Sequence, residues 1–307
     1  MPRRIVIDTD PGTDDAVAIL LALGSAEIEV LGLVAVAGNV ALAATERNAR
    51  AVCELAGRAD VPVYAGCPRP IDGRVVDAAH FHAEHGLGGL TLPPPKTPIQ
   101  SEHGATFLID TLRRSEPGTV TLCALGPLTN IAVALVMAPD IAGCIAELVL
   151  MGGASRALGN YTPAAEFNIH ADPQAAAIVF ASGVPITMVP LDLTHQVLST
   201  PERIERVRTA ATKSCAAAAL LMTPPLDSRR TTVALHDPCV IAWLIAPELF
   251  EGVEAHVGIE LAGALTLGTT VIDWRGVGGR PTNARVLHKI DAGGFYALLA
   301  ERLARLP

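Results

Sequence analysis

Two patterns alternate along the chain. Short, uniformly apolar runs occupy residues 3–9, 28–37, 61–64, 119–124, 145–151 and 185–189. None shows the in–out alternation of a half-exposed strand, so each predicts a strand buried on both sides. Between them, residues 14–23, 42–56, 102–113, 127–137 and 172–181 repeat with helical period, and Gly24 and Gly57 sit just past two of the predicted ends. A helical region is predicted from 201 to about 222, and another helix over 236–245. Such alternation predicts an α/β fold: a single-domain, mostly parallel, doubly wound (Rossmann-like) sheet with helices on both faces. No linker or internal repeat divides the chain, so residues 1–307 are expected to form one domain. Residues 65–100, rich in Pro, Gly and His, are expected to form a long functional loop or lid.

Ligands of such sheets bind at the carboxyl ends of the strands. Asp10, Asn39, Leu125-Gly126 and Gly152-Gly153 all follow predicted strands. The stretch DTDPGTDD, Asp8 to Asp15, is the most unusual of these sites. Asp8 and Asp10 are two apart and share a face of the strand end, while Asp14 and Asp15 fall in the first turn of a helix. Two carboxylates 4 Å apart repel by about 4 kcal/mol at an effective dielectric near 20. A helix N-terminus offsets only about 0.3–1 kcal/mol of that. A bound cation, or a shared proton, is the simpler remedy. The ligands on offer are hard oxygens, which select Ca²⁺ or Mg²⁺ over zinc or copper. An EF-hand is excluded: counting from Asp8, position six is Thr13 and position twelve is Ile19. No glycine-rich phosphate cradle follows these strands, which disfavours dinucleotide and ATP enzymes.

Two further polar clusters stand out. In ALHDPCVIAW, Asp237 and Pro238 suit the N-cap and first turn of a helix, beside His236. In NYTPAAEFNIHADP, Asp172-Pro173 is another helix start, whereas Asn160, Glu166 and Asn168 lie in a predicted irregular segment after a strand. Polar groups placed there suit a polyhydroxylated ligand.

Composition narrows the function further. Half of the 307 residues are hydrophobic and 18% are charged, as in a compact globular protein. The net charge of −8, the lack of a basic block and 4% aromatics argue against nucleic acid and anionic membrane surfaces as partners. The six cysteines form no C-x-x-C pair and have apolar neighbours, which predicts buried free thiols in a reducing compartment. The first apolar run ends at Asp8, too short for a secretory signal, and Gly126-Pro127 interrupts the long uncharged stretch at 119–139. A cytoplasmic protein without a spanning helix is expected.

DTDPGTDDAVAILLAL, Gly38-Asn39, LGPLTNIA, MGG, AEFNIHADPQAA and HDPCVIAW occur in this order and at separations that resemble the nucleoside hydrolase family. The resemblance runs from Ile5 to Trp243 and, more weakly, through LTLGTTVIDWRG. It implies hydrolysis of the N-glycosidic bond of ribonucleosides to free base and ribose. It also implies one Ca²⁺, held by Asp10, Asp15, the Leu125 carbonyl and Asp237, with water and ribose hydroxyls completing the shell. By the same resemblance, Asp14, Asn39, Asn160, Glu166 and Asn168 bind the ribose, and Asp10 takes a proton from the calcium-bound water. His236 matches a residue that, in one group of the family, faces the leaving base and can protonate it, and His82 in HAEHGLGG takes the loop-histidine position near the substrate. The resemblance further implies a homo-oligomer, dimer or tetramer, acting in nucleoside salvage. Ala83 and His85 depart from the family's loop pattern, and Ser228 and Pro224 replace its usual Tyr or Gln contacts to the base. The base preferred therefore does not carry over.

Two other readings stay open in the sequence. A haloacid-dehalogenase-type phosphohydrolase also begins with D-x-D after a strand. It needs a downstream Lys and a late acidic pair, yet only Lys96, Lys213 and Lys289 occur, and Asp291 has no acidic neighbour. A non-catalytic, calcium-dependent nucleoside- or ribose-binding protein would not need Asp10 as a base.

Overall fold

In a computed structural model, residues 1–73, 75–77, 85–224 and 231–307 are described. Their strands are β1 (Arg3–Thr9), β2 (Ile28–Ala35), β3 (Val63–Ala65), β4 (Val120–Ala124), β5 (Ile145–Met151), β6 (Ile186–Val189), β7 (Phe250–Ile259), β8 (Thr270–Asp273) and β9 (Ala284–Ile290). They join in one sheet in the order β3-β2-β1-β4-β5-β6-β9-β7-β8. Pairing is parallel from β3 through β6 to β9, whereas β7 runs antiparallel to β9 and to β8.

The central strands are covered on both faces, which is why their sequences are uniformly apolar. Ile5 and Ile7 of β1 face one apolar cluster, with Leu20 of helix Thr13–Leu23 and Ile241 of helix Pro238–Ile245. Val6 faces the other, with Leu108 of helix Gly104–Arg114 and Ile131 of helix Thr129–Met137. All of these side chains are at most 1% exposed. Burying one such side chain contributes about 1.5–3 kcal/mol. No helix among the described residues is long and apolar enough to cross a membrane.

The structure departs from the sequence-based expectations in three places. The predicted helical region from 201 splits into helices Pro201–Arg208 and Lys213–Leu221. Between them Ala211 takes a left-handed φ of 58°, and Thr212 restarts the helix by accepting the Cys215 N–H. Helix Phe167–Ala171 lies inside the segment expected to be irregular, and at 5 residues it is too short to show a period. Finally, β7, β8, β9 and helix Ala292–Leu303 were not anticipated. The outer face of β7 is exposed and pairs Glu254 with Arg285 and Glu251 with Lys289, so its sequence does not read as a buried strand.

Two predicted helix starts prove different. Asp172 caps helix Pro173–Phe180, accepting the Ala175 N–H at 3.0 Å. Asp237 precedes helix Pro238–Ile245 but makes no side-chain cap bond. Its carboxylate is turned to other company. Ala65, the first residue of the long loop, ends β3, and the described parts beyond it contain neither helix nor strand. The loop is fastened near its middle by Asn48, whose amide donates to the His85 carbonyl at 2.8 Å, and by buried Leu87. All six cysteines are free; Cys53, Cys123, Cys215 and Cys239 are buried, and Cys67 and Cys144 are half-buried.

Candidate functional site

The strand order reverses direction between β1 and β4, which opens a crevice at their carboxyl ends. Asp10 directly follows β1 and Leu125 directly follows β4. Asp10 is fully buried. A side chain at Gly38 or at Gly126 would overlap its carboxylate, so these two glycines make the space it occupies. Asn39 donates its backbone N–H to Asp10 Oδ2 at 2.7 Å. The Asn39 amide also donates to the Asp10 carbonyl and to Asp15 Oδ2, both at 3.1 Å. Asp15 Oδ1 accepts the Thr9 hydroxyl at 2.6 Å, and its Oδ2 accepts the Gly12 N–H at 3.0 Å. Asp10 Oδ1, by contrast, is buried without a hydrogen-bond partner among the described residues.

The start of helix Pro238–Ile245 brings Asp237 to the same place. Asp14, Asp15 and Asp237 each offer a carboxylate oxygen within 4.8 Å of the others. The His236 N–H donates to Asp14 Oδ2 at 3.3 Å, which ties the two distant acidic segments together. The His236 ring nitrogen Nδ1 lies 2.7 Å from the Thr194 hydroxyl, and its ring is 6.0 Å from that of His195.

Burial is the first cause of the site's electrostatics. It pushes the carboxyl of Asp15 up to about 6, with the Asp14 charge adding to the rise and the Thr9 and Gly12 donors opposing it. It pushes Asp237 and Asp10 well above the usual carboxylate range, and the neighbouring acids push the same way. A buried group of like charges needs protons or a cation. The donor set consists of the carboxylate oxygens of Asp14, Asp15 and Asp237, and the unpartnered Asp10 Oδ1 adds a lone pair. That set fits a hard divalent cation and offers nothing to a soft one.

The residues beyond β4 and β5 form a polar rim. The Asn168 amide donates to the Leu125 carbonyl at 2.8 Å and to the Met151 carbonyl at 3.1 Å, bridging the two strand ends. Glu166 is buried and accepts three backbone N–H groups: Gly153 at 2.9 Å, Asn168 at 2.9 Å and Ile169 at 3.2 Å. Burial still holds its carboxyl above the usual range. Asn160 is exposed and accepts the Phe167 N–H at 2.9 Å, so it fastens the same short helix from outside. His82, Ser228, Arg229 and Arg230 lie outside the described residues.

Asp8 stands apart from this group. Burial pushes its carboxyl up to about 8, and the Asn130 amide, at 2.8 Å from Oδ2, opposes the rise. Asn130 also accepts the Cys67 N–H and donates to the Ala35 carbonyl, which knits β1, β2 and the loop start. Gly38, Gly126, Thr9, Asn130 and Thr194 were not singled out as site residues from sequence. Only the glycines carried a signal, since each lies within three residues of a strand's end.

Residues 5–297 match the sequence family described as inosine-uridine preferring nucleoside hydrolase. The chain belongs to the nucleoside hydrolase family. The inosine-uridine preferring nucleoside hydrolase of Leishmania major is 44% identical over 313 residues, covering 100% of this chain and 99% of its own. The pyrimidine-specific ribonucleoside hydrolase RihA of Citrobacter koseri is 44% identical over 310 residues, covering 99% of each chain. Among solved structures, the purine-preferring ribonucleoside hydrolase of Gardnerella vaginalis superposes with a TM-score of 0.91 at 31% identity, over 98% of each chain. Family membership makes this chain a ribonucleoside hydrolase rather than a phosphohydrolase. The names of these three nucleoside hydrolases describe three different base preferences, so overall similarity does not select the base.

Proposed function

We propose that the chain cleaves the N-glycosidic bond of ribonucleosides with the help of one Ca²⁺, releasing base and ribose. The observation that carries this reading is the convergence of Asp14, Asp15 and Asp237 beside the partnerless Oδ1 of Asp10, at the point where the strand order reverses. Asp10, Asp15, Asp237 and the Leu125 carbonyl would hold the ion. Asp14, tied to the His236 backbone, is left to meet the ribose with Asn39, Asn168 and Glu166. Glu166 Oε1 takes one backbone N–H and keeps a lone pair for a sugar hydroxyl. Asn160 and His82 are assigned to substrate by family resemblance.

When bound, the ion supplies positive charge that acidifies a water and grips vicinal hydroxyls. Asp10 takes the proton of the attacking water on Oδ1, the oxygen that Asn39 leaves open. The water oxygen adds to the anomeric carbon while the carbon–nitrogen bond breaks and its electron pair leaves with the base. The surrounding carboxylates stabilise the positive charge that develops on the sugar. Groups built for the 2′- and 3′-hydroxyls reject a deoxy sugar, because buried partners would be left unpaired. His236 assists the departing base, and the 65–100 loop closes over it. A cytoplasmic homo-oligomer, dimer or tetramer, acting in nucleoside salvage completes the reading, on family resemblance.

The test is reducing-sugar release from inosine, adenosine, guanosine, uridine and cytidine, with metal analysis of the same sample. About one Ca²⁺ per chain and chelator-sensitive turnover are expected. Zinc at the site, or calcium-dependent ribose binding without turnover, would overturn the proposal.

A further inference from the structure

Thr194 ends the short helix Leu191–Thr194 after β6, in a segment that matches no catalytic motif. It is fully buried. Its backbone N–H is already spent on the Pro190 carbonyl at 3.1 Å. Among the described residues its hydroxyl has one partner, Nδ1 of His236 at 2.7 Å.

A hydroxyl carries one hydrogen to donate, and a neutral imidazole has one N–H and one bare nitrogen. Two arrangements would fit the 2.7 Å contact. If Nδ1 carried the ring's hydrogen, the threonine hydroxyl would only accept. Its own hydrogen would then be buried with no acceptor among the described residues, which proteins avoid. If the hydroxyl donates to a bare Nδ1, both groups are satisfied and the ring's hydrogen sits on Nε2. We propose that Thr194 is a positioning residue that holds His236 in its Nε2–H form, presenting a fixed hydrogen-bond donor to the leaving base.

This rests on the hydrolase reading for its kinetic consequence only. The carbon–nitrogen bond breaks, the electron pair goes to the base, and Nε2–H hydrogen-bonds the ring nitrogen or carbonyl on which that charge gathers. His236 neither gains nor loses a proton in this step, and the departing base takes its proton from water. Thr194 touches no substrate. It acts by keeping the ring from rotating and from moving its hydrogen to the wrong nitrogen.

The experiment uses calcium-loaded protein labelled with ¹⁵N at histidine, with the His236 signals assigned by comparison with His236→Gln. The expected wild-type spectrum shows a protonated Nε2 and a bare, hydrogen-bonded Nδ1. A protonated Nδ1 in the neutral ring would overturn the proposal. In Thr194→Val, which keeps the shape and loses the hydroxyl, that signature is expected to be lost. The kcat for inosine should fall roughly 3- to 10-fold with KM unchanged, the size of one lost hydrogen bond. The kcat for p-nitrophenyl riboside, whose leaving group needs no donor, should hold. Thr194→Ser should restore both the spectrum and the rate. Equal slowing of both substrates, or an unchanged inosine rate, would overturn the role. If Thr194→Val does not fold, the wild-type and Thr194→Ser spectra still decide. A wild-type protein that hydrolyses no nucleoside would refute the hydrolase reading, while the spectra would still judge Thr194.

Discussion

Glu166 and Asp10 are both carboxylates buried at strand ends, yet their surroundings differ. Glu166 accepts three backbone N–H groups and, by doing so, starts helix Phe167–Ala171. Asp10 accepts one N–H on one oxygen, has none among the described residues on the other, and looks toward further acids. Burial pushes both carboxyls up, but the donors around Glu166 work against the rise, while the neighbours of Asp10 add to it. A buried acid supplied with amide hydrogens is a piece of architecture. One supplied with other acids is a receptor for positive charge, and its geometry is complete only when that charge arrives.

The comparison can be broken most severely at Asp10. Asp10→Asn should lower turnover about 10²–10⁴-fold, the usual cost of removing a general base. It should leave the chelator-treated protein as stable as its parent or more so, because a buried repulsion is removed. Steady-state kinetics and thermal unfolding in chelator check both halves. A near-full rate would pass the base role to Asp14. His236→Ala comes next. A loss of roughly 10²-fold, the usual cost of removing one hydrogen-bond donor to a developing charge, is expected on inosine, with little change on p-nitrophenyl riboside. Equal slowing of the two would leave His236 only the task of positioning Asp14 and Asp237.

Glu166→Gln sharpens the contrast from the other side. Replacing one acceptor oxygen by an amide nitrogen sets a donor against buried N–H groups. A stability loss of about 1–3 kcal/mol is expected in urea unfolding, equally with and without calcium. A loss seen only with calcium would put Glu166 in the metal site instead. The smallest effect concerns pH. The Asp15 carboxyl is raised to about 6. Without the ion, its proton stabilises the fold fully below about 4, and that contribution fades as pH rises through about 6. A cation competes for the same oxygens, so the gain in Tm on adding calcium should grow from pH 5 to pH 8. The slope is about 1.4 kcal/mol per pH unit for each proton displaced. A gain that shrinks over this range would exclude proton displacement from the cluster.

Much of this site was legible in the sequence because its parts are local. The strand before Asp10, the helix after it and the acids between them occupy one stretch, and apolar runs marked the parallel strands. Other features were not legible, for physical reasons. The clasp of Gly38 and Gly126 around Asp10 exists only once β2 and β4 flank β1. Thr194 acts through one hydrogen bond to a residue 42 positions away and Asn130 through bonds to Asp8, Cys67 and Ala35, 63 to 122 positions away, and no such distance leaves a period to detect. The antiparallel β7–β9 edge was missed because its outer face pairs charges across the strands instead of burying apolar groups. Asp237 looked like an ordinary helix cap. Only its unused capping geometry shows that its carboxylate serves elsewhere.

The raised affinity of these carboxyls for protons also changes what the chain is as an electrolyte. The sequence assigns it a formal charge of −8 with every acid ionised. With its carboxyl near 8, Asp8 mostly keeps its proton at pH 7, and burial and the neighbouring acids shift Asp10 and Asp237 toward holding protons as well. The folded molecule therefore migrates as a less acidic particle than its composition implies, and unfolding expels those protons into the buffer. A divalent ion displaces the protons that the raised Asp10, Asp15 and Asp237 carboxyls carry, and each proton that leaves offsets one of its two positive charges. Acquiring calcium is, for these carboxyls, in part an exchange of one kind of cation for another.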